Sequence, residues 1–348
     1  MLKKSQRNVY SLLLCVAALC FAQAVRADDP LFPADPALAT PLSVQLNVPL
    51  RQLGRLKPDE TEEFAGELVM DNGTAFPVVV SPRGKSRREH CKVPPLWLDF
   101  KKKELKGTVF AKQNKLKLVT HCTRKFASKE YLASEMLVYR LFNLFTDKSF
   151  RVRALQIEYV DGDRTESRHG FLIEHKKRLA KRLDVEPFDP ANLSIDQPEP
   201  VQATVIALFN LMIGNTDFSV IHGVGGVCCH NAEPFLLAPG AGRHEVLPVP
   251  YDFDASGIVN PPYANPAPNV GIKRVTQRRY RGYCKHNDEI EGVVEQFQAN
   301  KDEIFALVNS FDDIPGLRTE RVVKYLAGFY EIIDSPKQRE KKLNGRCR

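Results

Sequence analysis

The stretch GELVMDNGTAFPVVVS, residues 66–81, decides how the first half of the chain is interpreted. Two runs rich in β-forming residues flank Asn72-Gly73, a dipeptide that favours the tight turn of a β-hairpin. Further short apolar or alternating runs lie on both sides of this hairpin, namely LSVQLNVPL, PLWLDF, GTVF, KLKLVT, RVRALQIEYV and HGFLIEH. The sequence therefore predicts a β-rich region over residues 43–175.

Helical patterns interrupt this region and then follow it. SKEYLASEMLVYRLFNLF, residues 128–145, has apolar residues at helical spacing and predicts one helix among the strands. PVQATVIALFNLMIG predicts a central helix with little polar surface, and Gly214 suits its C-cap. Two amphipathic patterns, EIEGVVEQFQANKDEIFALVNSF and TERVVKYLAGFYEII, complete a mostly helical region over residues 176–334.

The predicted fold class is α+β, with a β-rich N-terminal lobe that contains one helix and a mostly helical C-terminal lobe. Ahead of the lobes, a Pro-, Ala- and Asp-rich leader follows a signal peptide, and a basic, solvated tail ends the chain. The predicted boundaries are 1–27 for the signal peptide, 28–42 for the leader, 43–175 and 176–334 for the two lobes, and 335–348 for the tail.

The first 27 residues have the features of a secretory signal peptide. Lys3, Lys4 and Arg7 precede a short apolar run at residues 9–22, and small residues stand at positions −3 and −1 of a cut after Ala27. We therefore expect a secreted or periplasmic protein with no stable membrane span after cleavage. Cleavage lowers the formal net charge from +8 to +4, an excess too mild to predict nucleic acid as a partner.

Six cysteines remain after the predicted cleavage. An even number in an oxidising compartment predicts up to three disulfides. We expect Cys91 to pair with Cys122, since both lie at the ends of neighbouring strand-like segments. The adjacent Cys228 and Cys229 are expected to reach Cys284 and Cys347. The alternative is a zinc or copper site, because histidines adjoin three of these positions in His90-Cys91, His121-Cys122 and Cys228-Cys229-His230.

Two carboxylates stand two positions apart in VPYDFDASG, residues 249–257. A period of two places Asp252 and Asp254 on one face of a strand-like segment, where they repel each other unless a cation lies between them. Mg²⁺ and Mn²⁺ prefer hard oxygen ligands, so the pattern predicts a divalent metal site. The alternative is a turn in which an aspartate caps a helix.

Other polar groups accompany this segment in the order that phosphoryl transfer needs. That reaction uses a lysine on the phosphates, held by a helical glutamate, then a carboxylate on the acceptor hydroxyl, and an asparagine and an aspartate on the metal. The candidates are Lys117 in KLKL, Glu135 in the following helix, Asp217 in GNTDFS, Asn231 in HN, and Asp252. The basic turn SPRGKSRR, which includes Arg83-Gly84, is a candidate for approaching phosphates. For the loops at 217 and 231, simple Asx turns are the alternative.

The pieces RGKSR, KLKL, GFLIEH, GNTDFS, HN and PYDFDASG together resemble the atypical protein-kinase-like proteins of the spore-coat CotH type. The chain is more distantly similar to HipA-like kinases and secretory-pathway kinases. The resemblance implies a bilobed kinase-like fold with ATP and Mg²⁺ or Mn²⁺ in the cleft. The residues it assigns are Lys117 paired with Glu135, Arg83, Gly84 and Glu174 for the nucleotide, Asp217 for catalysis, and Asn231, Asp252 and Asp254 for the metal.

These observations predict an exported, ATP-dependent kinase-like phosphotransferase whose acceptor is a protein or an envelope polysaccharide. The alternatives are a catalytically inactive binding or scaffold protein of the same kind, an enzyme that transfers AMP or glutamate, and a metal-storing or redox protein built on the Cys-His pairs. KRVTQRRYRGYCKH, residues 273–286, is expected either to receive an acidic substrate or to form a basic surface loop tethered by Cys284.

Overall fold

Two β-sheets organise the molecule. The computed structural model describes residues 29–84, 86–123, 127–223, 225–237 and 245–348. The first sheet contains β1 Leu42–Asn47, β2 Phe64–Met70, β3 Ala75–Pro82, β4 Leu96–Phe100, β5 Lys115–Thr120, β6 Val152–Asp161 and β7 Arg164–Ile173. The second sheet contains β8 Glu186–Pro187, β9 Ala232–Leu236 and β10 Val246–Pro250, in the order β10-β9-β8. The predicted signal peptide lies outside the described residues.

The first sheet closes into a seven-stranded barrel in the order β1-β2-β3-β4-β5-β7-β6. Neighbouring strands are antiparallel except at the closure, where β1 runs parallel to β6 from Leu42 opposite Leu155 to Asn47 opposite Val160. The predicted hairpin is confirmed, because β2 and β3 pair around Asn72-Gly73 with Phe64 opposite Val80. Closure gives every barrel strand two hydrogen-bonded neighbours and leaves no open edge.

The barrel corrects the predicted fold class. The bilobed kinase-like fold, with a β-rich N-terminal lobe carrying one helix and a helical C-terminal lobe, is wrong, since the strands form a closed mixed barrel with helices around it. Residue periodicity predicts that a segment is a strand, whereas closure depends on which strands pair. The parallel pairing of β1 with β6 joins segments about 110 residues apart and leaves no mark in either segment alone.

Helices pack beside the two sheets in the described part of the chain. Their bounds are α1 Leu50–Leu53, α2 Ser86–His90, α3 Ala127–Phe145, α4 Lys176–Leu183, α5 Pro200–Ile213, α6 Ile290–Ala299, α7 Lys301–Ser310, α8 Thr319–Ile333 and α9 Pro336–Lys342. The predicted helices at 128–145 and 200–214 are confirmed as α3 and α5, and Gly214 ends α5 at φ 70° as a left-handed C-cap. None of the helices in the described ranges is both long and apolar enough to cross a membrane.

The hydrophobic core has two main parts. Leu46, Leu98, Leu116 and their neighbours fill the barrel interior, while a larger cluster joins the outer barrel wall to α3, α5 and the helices that follow. In β5, Leu116 and Leu118 point into the barrel and Lys117 points out toward this second layer, as the period of two of a strand requires.

Both ends of the described chain pack against the rest of the molecule. In the predicted leader, Leu31 and Phe32 are completely buried in the barrel cluster. The Asp29 carboxylate accepts hydrogen bonds from Gln113 and from Arg178 of α4. The predicted tail is not simply solvated, because α9 lies against α8 and Cys347 is disulfide-bonded to Cys284.

Candidate functional site

Two adjoining cavities lie between the outer barrel wall and the loops around residues 217–231 and 251–268. The first, here the acidic cavity, has a volume of about 530 Å³ and is lined by Asp217, Asn231, Asp252 and Asp254, among others. The second, the basic cavity, has a volume of about 660 Å³, and the cations in its lining are Arg83, Arg88, Lys115, Lys117 and Lys176. Arg83, Gly84 and Asp252 line both cavities and form their common wall.

Gly84 gives the common wall its shape. Its φ of +77° is a left-handed conformation that glycine adopts without steric cost, and the space around its α-carbon is open. The turn brings the neighbouring Arg83 side chain to 5.5 Å from the Trp97 ring. The predicted basic turn therefore borders both cavities.

Lys117 occupies the floor of the basic cavity. It is paired in register with Trp97 of β4, and its Nζ lies 4.5 Å from the centre of the Tyr251 ring and 3.9 Å from Glu233 Oε1. Burial and then the charge of Arg83 lower the pKa of Lys117 to about 8, against the opposing effect of the carboxylates of Glu233 and Asp252. Lys117 is thus a cation that a phosphate group would stabilise.

The expected pairing of Lys117 with Glu135 does not occur in the structure. Glu233 of β9 lies beside Lys117, while the buried Glu135 of α3 forms an ion pair with Arg87. Glu174, expected at the nucleotide, is buried in an ion pair with Arg182 at 2.8 Å, and its side chain is outside the linings of both cavities. The order of motifs along the chain therefore predicted Lys117 as a residue of the site, but it predicted the wrong carboxylate beside it.

Asp217 and Asn231 lie side by side although 14 residues separate them. A bridge between Ser219 and His230 closes the intervening loop and places His230 Nε2 so that it donates to Asp217 Oδ1 at 2.7 Å. Asn231 Nδ2 donates to Asp217 Oδ2 at 3.2 Å and to its carbonyl oxygen at 2.7 Å. The amide nitrogen of Asn231 thus faces Asp217. The hydrogen bond from His230 to the Asp217 carboxylate raises the pKa of His230.

Asp252 and Asp254 follow β10 rather than extending it. The strand ends at Pro250, and Asp252 has φ 60°, so the strand-like alternation predicted for these residues is wrong. The Asp252 amide donates to the Tyr139 hydroxyl of α3 at 2.9 Å, which fixes the turn. Both aspartates still line the acidic cavity, and burial followed by the nearby Asp254 charge raises the pKa of Asp252.

The oxygen donors of the acidic cavity suit a hard divalent cation that also binds phosphate and water. Within the described part of the chain, no three histidine, cysteine, aspartate or glutamate side chains meet in a group suited to hold a metal ion by themselves. Mg²⁺ is usually bound through one or two carboxylates together with substrate phosphates and water, so a complete protein cage is not required. Asp252 fits that role, since it belongs to the acidic cavity and also faces the cations of the basic cavity.

The cysteines form disulfides among the described residues. Cys91–Cys122 is confirmed. The expected pairing of Cys228 and Cys229 with Cys284 and Cys347 is wrong, because Cys284 bonds Cys347 and the two adjacent cysteines bond each other. Cysteines in disulfides offer no thiolate, so a zinc or copper site built on them is excluded. Such cross-links are typical of proteins that fold in an oxidising compartment.

Two arginines of the basic segment 273–286 have structural contacts. Arg281 donates to the carbonyl oxygen of Thr216, next to Asp217, and its guanidinium lies over the Phe218 ring. Arg278 donates to carbonyl oxygens of Met212 and Tyr325. The segment therefore supports the loop that carries Asp217, and Cys284 tethers it as expected.

Sequence reasoning missed several residues of the site. Trp97, Glu233, Tyr251 and Tyr263 were assigned no role, Arg87 was considered only as part of the basic turn, and His230 only beside the cysteines, although all six line one of the two cavities. The strand periodicity of LWLDF was the available signal for Trp97, because it places that residue on the same outward face as Lys117. Arg87 and Tyr263 lie in loops or short helices, where no periodicity indicates direction.

The chain was compared with known proteins. No family model matches it, and no curated protein is similar enough to it in sequence to count as a match. A functional conclusion therefore depends on the geometry of the two cavities.

Proposed function

We propose that this chain is an exported phosphotransferase that uses ATP with Mg²⁺ or Mn²⁺. The observation that carries the proposal is the common wall of Arg83, Gly84 and Asp252, which joins a cavity rich in cations to one that contains Asp217 and Asn231. A polyphosphate bound to the cations would reach the carboxylates. The resemblance to CotH-type proteins implied both phosphoryl-transfer chemistry and a bilobed kinase-like fold. We retain the chemistry as a proposal and do not retain the fold.

The basic cavity suits the donor nucleotide. Lys117 and Arg83 both line this cavity and would contact phosphate oxygens there, and Arg forms paired hydrogen bonds with phosphate. The rings of Trp97 and Tyr251 add aromatic surface beside these cations. A cavity lined by both cations and aromatic rings suits a ligand that carries both phosphates and a flat base.

The acidic cavity suits the acceptor hydroxyl. The acceptor oxygen forms a bond to the terminal phosphorus while the bond between that phosphorus and the bridging oxygen breaks, and Asp217 takes the hydroxyl proton. His230 holds the Asp217 carboxylate in place through its hydrogen bond. When bound, the divalent ion would be held by Asp252 with Asn231 or Asp254 and would offset charge on the phosphates. The acceptor is a hydroxyl of a protein or of a polysaccharide.

One observation favours a second candidate, a nucleotide-binding protein without transfer activity. Both carboxylate oxygens of Asp217 already accept hydrogen bonds, one from His230 and one from Asn231. Each of these bonds occupies a lone pair that would otherwise be open to an acceptor hydroxyl. Transfer of AMP or glutamate by the same cleft is a further alternative within the same proposal. The predicted signal peptide and the disulfides support export in each case.

Trp97, the single tryptophan of the chain, makes binding directly measurable. We expect ATP with Mn²⁺ to change the fluorescence of Trp97 in the wild-type protein. Lys117→Ala should weaken ATP binding by about tenfold or more, since it removes a buried cation from the phosphates. Lys101→Ala is the matched control, because Lys101 is exposed at the end of β4 and should leave binding unchanged.

Transfer is tested with γ-labelled ATP, Mn²⁺ and a mixture of protein and polysaccharide acceptors. Asp217→Asn should abolish label transfer and keep ATP binding, because Asn retains the size and loses the proton acceptor. ATP binding without transfer in either protein would support the non-catalytic candidate. Wild-type fluorescence that does not respond to ATP and Mn²⁺, with no binding by calorimetry, would contradict both.

A further inference from the structure

Arg87 is a buried arginine whose positive charge neutralises two carboxylates, and one of them, Asp254, lines the acidic cavity. Its side chain, only 12% exposed, donates from Nε to Asp254 Oδ2 at 2.8 Å, and its Nη2 forms an ion pair with Glu135. The Glu135 and Asp254 side chains are themselves 3% and 11% exposed. Buried carboxylates need a cation close by, and Arg87 supplies it for two of them.

Asp254 is consequently engaged on one of its two carboxylate oxygens, Oδ2. Besides Arg87, the Tyr263 hydroxyl donates to the same Oδ2 at 2.9 Å. A guanidinium and a divalent ion repel each other when both lie on one carboxylate. Asp254 therefore binds a metal weakly while the Arg87 guanidinium stays beside it.

Two features hold Arg87 at this place. Its helix, α2, is followed at once by Cys91, whose disulfide to Cys122 ties the end of the helix to the end of β5. The His90 ring stacks on the Tyr263 ring with centres 5.5 Å apart. These contacts hold the helix that carries Arg87 in the cavity wall.

We propose that Arg87 sets the metal requirement of the cleft by competing with the divalent ion for Asp254. This inference rests on the proposed function and deepens it. Bound ATP would offer the displaced guanidinium a new partner, since arginine binds phosphate through two parallel hydrogen bonds. Metal alone then binds weakly, and metal and nucleotide assist each other's binding.

The test measures binding of Mn²⁺ alone, without nucleotide, by calorimetry on the purified protein. Arg87→Gln keeps hydrogen-bonding capacity and removes the charge, so its Mn²⁺ dissociation constant should fall by about tenfold or more. Arg87→Lys restores the charge and should stay within about threefold of wild type. A purely structural role of Arg87 would not give tighter metal binding in one variant and its reversal in the other.

Arg51→Gln is the matched control for the loss of a positive charge. Arg51 forms an ion pair with Asp161 and is outside the linings of both cavities, so its loss should leave Mn²⁺ affinity at the wild-type value. Circular dichroism checks that each variant is folded. If Arg87→Gln fails to fold, Tyr263→Phe removes the other donor to Asp254 without a change in charge and should tighten Mn²⁺ binding by about twofold to threefold.

The possible results separate the two proposals. Tighter Mn²⁺ binding in Arg87→Gln or Tyr263→Phe supports the role of Arg87. Unchanged Mn²⁺ affinity in these variants, with ATP binding still dependent on metal, overturns that role and leaves the proposed function standing. Absence of Mn²⁺ binding in every protein, with or without ATP, overturns both.

Discussion

Lys117 is the residue whose environment bears most directly on the chemistry of the cleft. It is 8% exposed, and burial keeps its pKa near 8, within reach of ordinary assay conditions. Below that pH the ammonium attracts phosphate, and above it the neutral amine does not. Bound phosphate favours the ammonium and so raises the pKa of Lys117 in the complex. ATP binding is therefore linked to uptake of a proton.

We expect the affinity for ATP to fall as pH rises through 8. Between the pKa values of the free and bound states, one linked proton lowers affinity by up to about tenfold per pH unit. Trp97 fluorescence titrations between pH 6.5 and 9.5 provide the measurement. In Lys117→Arg the charge persists across this range, so its profile should be flat in comparison. Parallel profiles for the two proteins would show that another group controls binding.

The sequence predicted those site residues whose chemical type and surrounding short motif both suggest a function. Asp217, Asn231 and Asp252 were predicted from short motifs and all line the acidic cavity, and Lys117 lines the cavity next to it. The partners of these groups were not predictable, because they come from other parts of the chain. Glu233 lies 116 positions after Lys117, and only the fold shows that it replaces Glu135 there.

Among the elements, α4 begins with an uncommon cap. His175 precedes the helix and accepts a hydrogen bond from the Lys177 amide through Nδ1 at 3.2 Å. Only the unprotonated nitrogen accepts this bond. Burial, and then the charge of Lys117, lower the pKa of His175 from 6.5 to about 4. The cap is therefore present at neutral pH and is lost on acidification.

The lowered pKa of His175 gives a stability prediction with a definite sign. The unfolded chain takes up the proton near pH 6.5 and the folded chain only near 4, so this contribution is complete above pH 6.5 and disappears as pH falls toward 4. His175→Asn keeps a cap acceptor that does not titrate. Between pH 7 and 4.5 the wild type should lose about 1–2 kcal/mol more unfolding free energy than this variant, which is the linkage discounted for the partial exposure of His175.

Urea unfolding at the two pH values measures the difference. Since His222 is exposed and lies outside the helices of the described residues, His222→Asn serves as the control and should follow the wild type. An equal acid loss in His175→Asn and wild type would contradict a titrating cap.

At the scale of the whole molecule, the barrel interior depends on residues that precede its first strand. Leu31 and Phe32 are completely buried with the barrel side chains, and Asp29 links this segment to α4 through Arg178 at 2.6 Å. Composition predicted a leader here because Pro, Ala and Asp are common in loops. Two apolar residues in a polar segment carry no periodicity, so their burial was not predictable from the sequence.

Phe32→Ala should reduce the free energy of unfolding by about 3–5 kcal/mol, as expected for a large cavity in a core. Guanidinium unfolding monitored by circular dichroism is the measurement. The control comes from the same segment, where Leu38 is 64% exposed and Leu38→Ala should change stability by less than about 0.5 kcal/mol. A loss in Phe32→Ala no larger than that in Leu38→Ala would show that the segment is dispensable.

The closure of the barrel between β1 and β6 has a consequence for synthesis. A nascent chain emerges from its N-terminus, so β1 waits for its parallel partner until residue 160 has appeared. Throughout that interval the growing sheet keeps an unpaired edge that invites pairing with other chains.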